Sequence, residues 1–159
     1  MLRHAHESSK STSSVRWARL VLPHCEVVEY RSRADATDLL DIRPGDWLLY
    51  PDELGGSAAP TAAVQRLWVL DGTWRQTRRM LRAVPALTRL PRLGVPPRPA
   101  GIRLRAAPRR EALSTFEAMA GAVCRLESES LGEALLAIHD AIVTQVLRAR
   151  GRRSAEQAA

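Results

Sequence analysis

Asp71, Gly72 and Thr73 follow directly on the apolar run Val64 to Leu70 and precede a helical pattern, so an acid, a glycine and a hydroxyl converge where a strand hands over to a helix. In an open α/β sheet the ligand crevice lies past the carboxyl ends of the strands, and a carboxylate placed there can accept a proton or hold a ligand's donor groups. The same residues also have a local use: Asp71 or Thr73 can cap the helix, Gly72 can make the turn, and Trp74 can sink into the core. Arg75, Arg78, Arg79 and Arg82 then recur at three- and four-residue spacing beside the apolar face of that helix. Such a row suits nucleic-acid phosphates, or simply solvent.

The elements that must position these residues alternate in type. Glu26 to Tyr30, Asp46 to Tyr50 and Val64 to Leu70 are short runs rich in Val, Leu and aromatic residues, and Gly101 to Arg105 alternates weakly; the pattern predicts four strands. Helical patterns cover Ser14 to Leu22, Ala34 to Ile42 and Thr73 to Val84, each ending at or near a proline. On the third, Trp74, Thr77, Met80, Leu81 and Val84 share a face. Ser114-Thr-Phe-Glu117 and Ser130-Leu-Gly-Glu133 have the capping-box form in front of apolar periodic runs, and Leu131, Leu135, Ile138, Ile142 and Val146 make one stripe. Strands alternating with helices, and the nearly continuous apolar character of Val64 to Leu70, predict an α/β fold with a mainly parallel sheet flanked by helices. Leu90 to Ala100, with four prolines, is expected to be a long irregular loop.

With 159 residues the chain has room for one domain, here expected over 1–151 with a flexible start at 1–13 and a polar tail at 152–159. Lys and Arg number 24 against 17 Asp and Glu, a net charge of +7 that favours polyanionic partners. Lys10 is the only lysine, and between Gly72 and Arg110 the arginines meet no acid at all. Cys25 and Cys124 are too few for a disulfide framework or a zinc cluster, and Cys124 sits in an apolar run as a small hydrophobe. His4 and His6 lack ligand partners at metal-binding spacing, so no metal is expected; His24 and His139 read as surface or packing residues. Without an apolar leader or a run of about 18 apolar residues, a cytoplasmic protein without membrane attachment is expected.

Two blocks carry a family resemblance. Asp71-Gly-Thr-Trp74 followed by Arg75-Gln-Thr-Arg-Arg-Met80 resembles the signature of the DTW-domain family, and Arg105-Ala-Ala-Pro-Arg-Arg-Glu-Ala-Leu-Ser-Thr-Phe-Glu-Ala118 resembles its later block. Leu48-Leu-Tyr-Pro51 is similar to its strand ending in proline. Near the start, His4-Ala-His-Glu7 and Lys10 match a family block. Ala5 stands in place of its proline, Ser13-Ser14-Val15 replaces an Asn-Thr-Gly, and the family's N-terminal cysteine cluster has no counterpart.

The resemblance implies a SPOUT-like fold with a trefoil knot and transfer of the 3-amino-3-carboxypropyl group from S-adenosylmethionine to a uridine of tRNA. Two rival readings are a methyltransferase on the same scaffold and an RNA-binding module without catalysis. On this reading Asp71 is the catalytic base. The S-adenosylmethionine pocket is expected at Tyr50, Pro51, Leu70, Gly72, Thr73, Trp74, Leu113, Ser114 and Thr115, and Lys10, Arg16, Arg75, Arg78, Arg79, Arg82 and Arg105 meet tRNA. A monomer is expected, with a homodimer as the alternative.

Overall fold

The computed structural model describes residues 1–8, 13–32, 40–51, 63–98, 104 and 113–157, the segment 152–157 by its backbone alone. The chain divides into two compact units, Met1–Pro96 and Pro97–Ala159. The predicted strand Gly101 to Arg105, apart from Leu104, lies outside the described residues. So does most of the predicted helix Ala34 to Ile42, of which residues 40–42 are described and are not helical.

The first unit is built on a five-stranded sheet in which every described pairing is parallel. Its strands are β1 (Leu2–His4), β2 (Val28–Tyr30), β3 (Asp46–Leu49), β4 (Arg66–Asp71) and β5 (Arg92–Leu93), in spatial order β2-β1-β4-β3-β5. The helices are α1 (Ser14–Val21), α2 (Trp74–Ala83) and the short α3 (Pro85–Thr88). Parallel strands need their backbone bonds on both edges and cover on both faces, and the central β4 shows this: Trp68 to Asp71 are buried in succession, with no alternation. Leu2, Tyr30, Leu48, Trp68 and Leu70 from the sheet pack with Met80, Leu81, Val84, Leu87 and Leu90 as one core.

Two strands depart from expectation. Leu2–His4, in a stretch expected to be flexible, pairs with β2 on one side and β4 on the other, and Leu2 is 0% exposed. The polar neighbours of Leu2 hide a short strand from any window of periodicity. Arg92–Leu93 adds an edge strand within the expected irregular loop: Pro91 and Leu93 accept from the Leu48 and Tyr50 N–H groups at 2.9 and 3.2 Å. An edge strand needs partners on one side only, which is why prolines on both flanks are tolerated.

At the amino end of the sheet a buried acid has a structural task. Asp46 accepts from Arg66 Nε at 2.9 Å and Nη2 at 2.6 Å, from Trp68 Nε1 at 2.9 Å and from the Arg43 N–H at 3.0 Å. Burial alone would raise its carboxyl, but the bonds from Arg66, Trp68 and Arg43 and the Arg66 charge outweigh burial and bring it from 3.8 down to about 2. A carboxyl depressed on folding stabilises the folded state above its unfolded value and loses that contribution as pH falls through the folded one. Thermal unfolding followed from pH 7 downward should therefore show a loss of about 2 kcal/mol between roughly pH 4 and pH 2, absent in Asp46→Asn. An equal acid slope in the variant would assign the loss to other groups.

The second unit contains α4 (Thr115–Leu126) and α5 (Glu129–Gln157), joined by Glu127 and Ser128. They run antiparallel: Gly132 meets Ala120 and Cys124, while seven residues later His139 meets Ser114 and Phe116. Both halves of the expected Ser114–Glu117 capping box are present. The second box is not: α5 begins at Glu129, and the Gly132 N–H reaches the Ser128 carbonyl at 3.1 Å, so Ser130 lies inside the first turn. The buried stripe is also shifted, to Gly132, Leu135, His139 and Val143, leaving Leu131 and Ile138 exposed. The backbone of α5 continues through the segment expected as a tail. Contrary to expectation, residues 129–151 contain an 18-residue window of mean hydropathy 1.2 and so pass as a membrane span by length and composition. Leu135, His139 and Val143 on it are buried, and His139 meets Ser114 and Phe116 of the hairpin.

Candidate active site at the carboxyl edge of the sheet

The strand order sets where a ligand can enter. From β1 the chain proceeds to β2 on one flank, whereas β4, the other neighbour of β1, is linked to β3 and β5 on the opposite flank. The connections diverge between β1 and β4, and a parallel sheet opens a crevice at that point beyond its carboxyl ends. His4 closes β1 there and Asp71 closes β4, with Arg3 and Asp71 paired in register.

Asp71 is 6% exposed. A Cβ on Gly72 would sit 3.1 Å from Gln76 Cβ, a tight approach, so glycine eases the first turn of α2, and 3.6 Å from His4 Cβ, an ordinary contact that puts the end of β1 alongside. His4 Nδ1 accepts the His6 N–H at 3.3 Å, which makes it the acceptor nitrogen of a neutral ring. Its ring lies 5.1 Å from that of His6 and 5.8 Å from that of Tyr30, at the end of β2. On the other side Tyr50, just past β3, meets Trp74 edge-on at 6.3 Å, and the Arg92 guanidinium lies 5.5 Å from the Tyr50 ring centre. Tyr30, His4, Asp71, Tyr50 and Arg92 thus follow the spatial order of the five strands along one edge.

The local alternatives for the signature are now resolved. Thr73, and not Asp71, caps α2: its hydroxyl accepts the Gln76 N–H at 3.3 Å while Gln76 Oε1 accepts the Thr73 N–H at 2.6 Å. Asp71 therefore takes no part in the capping box. Thr77, Met80, Leu81 and Val84 are buried as expected, but Trp74 is 38% exposed at the first turn and stands out of the core face. Arg75, Arg78, Arg79 and Arg82 are all exposed on the opposite side of α2, and among the described residues none makes a side-chain hydrogen bond or ion pair. Arg16 is exposed on α1. Lys10 and Arg105 lie outside the described residues.

Of the remaining expected pocket residues, Leu70 is buried in β4, Tyr50 half-buried and Pro51 exposed. Leu113, Ser114 and Thr115 belong to the second unit, where Ser114 caps α4 and all three are half-buried. His4, Gln76 and Arg92 are site residues that pattern reading did not select. His4 had a signal, its match to a family block, that the expectation of a flexible start outweighed. In the altered block, Ser13 caps α1 without a side-chain bond, and its buried hydroxyl has no hydrogen-bond partner among the described residues.

Comparison with known proteins agrees with the two blocks. A family model described as a DTW domain matches residues 1–147, and so reaches across both units. No curated protein and no solved structure matches the chain.

Proposed function

The chain belongs to the DTW-domain family, which is associated with tRNA-modifying enzymes, and from that premise we propose that it transfers the 3-amino-3-carboxypropyl group of S-adenosylmethionine to a uridine of tRNA. The observation that carries the reading is the meeting of Asp71, Gly72 and His4 where the strand connections diverge, on the residues that bear the family signature. A SPOUT-like, knotted chain path belongs to the same reading, supported by the all-parallel sheet and the family.

The chemistry is a displacement. A bond forms from a uracil ring nitrogen to the chain carbon attached to sulfonium, the carbon–sulfur bond breaks, 5′-methylthioadenosine leaves, and the nitrogen gives up its proton. S-adenosylmethionine supplies the electrophilic carbon. The residues suit it by chemistry: Asp71 carries a carboxyl group, the Trp74 and Tyr50 rings offer faces that attract cationic groups, and the turn at 71–73 carries glycine at its centre. The uracil nitrogen is protonated at neutral pH and a poor nucleophile, so Asp71 acts as the base that takes its proton. Holding both reactants in line supplies the rest of the acceleration.

The test is mass spectrometry of nucleosides from total tRNA incubated with the protein and S-adenosylmethionine, with an Asp71 variant alongside. A new aminocarboxypropyl-uridine that disappears in the variant supports the reading. A methyl increment would make the chain a methyltransferase. No new nucleoside from a protein that still binds tRNA would make it an RNA-binding module.

The bare arginines of α2 are the tRNA contact in this reading. Each phosphate neutralised adds roughly 0.7–0.9 to the slope of log affinity against log salt. Replacing Arg75, Arg78 and Arg82 by Gln should weaken tRNA binding and flatten that slope by about two to three. An unchanged slope would return these arginines to a merely solvated face.

A further inference from the structure

Arg92 has no task in the reaction as described. It lies on β5, where its register partner is Leu48, a residue of the core that Met80 and Leu81 of α2 share, so its side chain rises on the α2 face of the sheet. Two residues past Leu48, Tyr50 comes up on the same face, and Trp74 on the first turn of α2 meets its ring. The Arg92 guanidinium is drawn back over Tyr50, 5.5 Å from the ring centre, and among the described residues it makes no hydrogen bond and no ion pair. A guanidinium held by its face keeps the N–H donors of its edge for another partner.

We propose that Arg92, held by Tyr50, binds the carboxylate of the aminocarboxypropyl chain of S-adenosylmethionine and so decides which carbon of the sulfonium meets the uridine. This rests on the co-substrate reading above.

The co-substrate carries charges of both signs: its sulfonium and ammonium are cationic and its carboxylate is anionic. The Trp74 ring and the Asp71 carboxyl favour the cationic groups, and Asp71 disfavours a second carboxylate beside it. Arg92 has the opposite preference. It stands two strands away from Asp71 in the sheet, about 10 Å at the backbone, so the unlike groups of the co-substrate are sorted along the edge and do not compete for one spot. A guanidinium meets a carboxylate through paired, parallel N–H···O bonds, which fix direction as well as supply energy. Each carbon on the sulfonium is open to displacement, and a chain pinned at its far end presents its own first carbon in a fixed direction. Arg75, exposed on the first turn of α2, has the same charge but no aromatic face that holds it. Ordering it would cost side-chain entropy that Tyr50 has already removed from Arg92.

The experiment measures, by calorimetry on the full chain, the affinity ratio of two probes: S-adenosylmethionine and its decarboxylated form, which keeps the sulfonium and the ammonium and lacks only the carboxylate. The parent should bind the first at least about tenfold more tightly. Arg92→Gln should bring the ratio close to one, and Arg92→Lys, which keeps the charge but not the planar fork, should keep part of it. Tyr50→Leu should lower the ratio as well, while Tyr50→Phe, which preserves the ring, should not. Both probes meet the same folded protein, so a partly unfolded variant gives a weaker signal and not a different ratio. Arg75→Gln is the control and should leave the ratio alone; an equal fall there would reduce the effect to the general field of the arginines and overturn the proposal. An unchanged ratio in Arg92→Gln overturns it too, and a flatter salt dependence of tRNA binding in that variant would then make Arg92 a phosphate contact. A parent that binds both probes equally overturns this inference and leaves the co-substrate reading standing. A parent that binds neither overturns both, and that outcome is visible before any variant is made.

Discussion

Asp71→Asn is expected to fold, to bind S-adenosylmethionine and to lose transfer by roughly two to four orders of magnitude, the range a positioned base contributes. The amide matches the carboxylate in size and keeps an acceptor oxygen, so packing at the end of β4 is preserved while the ability to take a proton is removed. What makes the substitution informative is the neighbouring cap. Thr73 and Gln76 close the start of α2 by themselves, so the loss cannot come from an unravelled helix. Binding of S-adenosylmethionine and turnover at saturation separate the two roles an acid can have here. A variant that binds weakly but turns over at the parent rate would assign Asp71 to holding the co-substrate. A variant equal to the parent in both would remove Asp71 from the site.

Gly132→Ala is expected to destabilise the helical unit by about 2–3 kcal/mol, which is large for one methyl group. Alanine ordinarily strengthens a helix relative to glycine by about 1 kcal/mol, so propensity alone predicts the opposite sign. Packing decides: the added Cβ would stand 2.0 Å from Cys124 Sγ, 2.7 Å from the Ala120 carbonyl oxygen and 2.8 Å from the Cys124 nitrogen. The thiol could turn away, but the two backbone atoms can give way only if α4 and α5 move apart. Cys124→Ala combined with Gly132→Ala should therefore recover only part of the loss. Thermal and urea unfolding of the single and double variants measure it. A neutral Gly132→Ala would show that the helices separate at no cost.

The local structure around the signature residues was open to reading because its parts are contiguous. Asp71-Gly-Thr-Trp and Ser114-Thr-Phe-Glu each lie within about one turn of chain and the arginine row Arg75 to Arg82 within about two, where spacing translates directly into geometry. The parallel α/β class was legible for a similar reason: a strand buried on both faces must be apolar throughout, and Val64 to Leu70 is. Helix α2 showed its core face because Thr77, Met80, Leu81 and Val84 repeat at the helical period.

What the chain alone could not reveal depends on partners far away in sequence. Nothing in Leu-Arg-His marks residues 2–4 as a strand, since a segment so short is held by its two neighbours, β2 and β4, and by the burial of Leu2. Trp74 follows the apolar period of α2 yet stands at the crevice, because only the first turn of that helix overhangs the sheet edge where Tyr50 waits. The stripe on α5 was right at Leu135 but one residue early at Leu131, Ile138 and Ile142, where Gly132, His139 and Val143 are buried instead. The position of Gly132 against α4 rotates the helix so that a polar His139, and not Ile138, faces inward. Sequence determined which residue types were at hand and the local turns that present them. The tertiary structure decided which of them meet, because contacts across the sheet edge and between helices are set by packing over long separations, which no local period records.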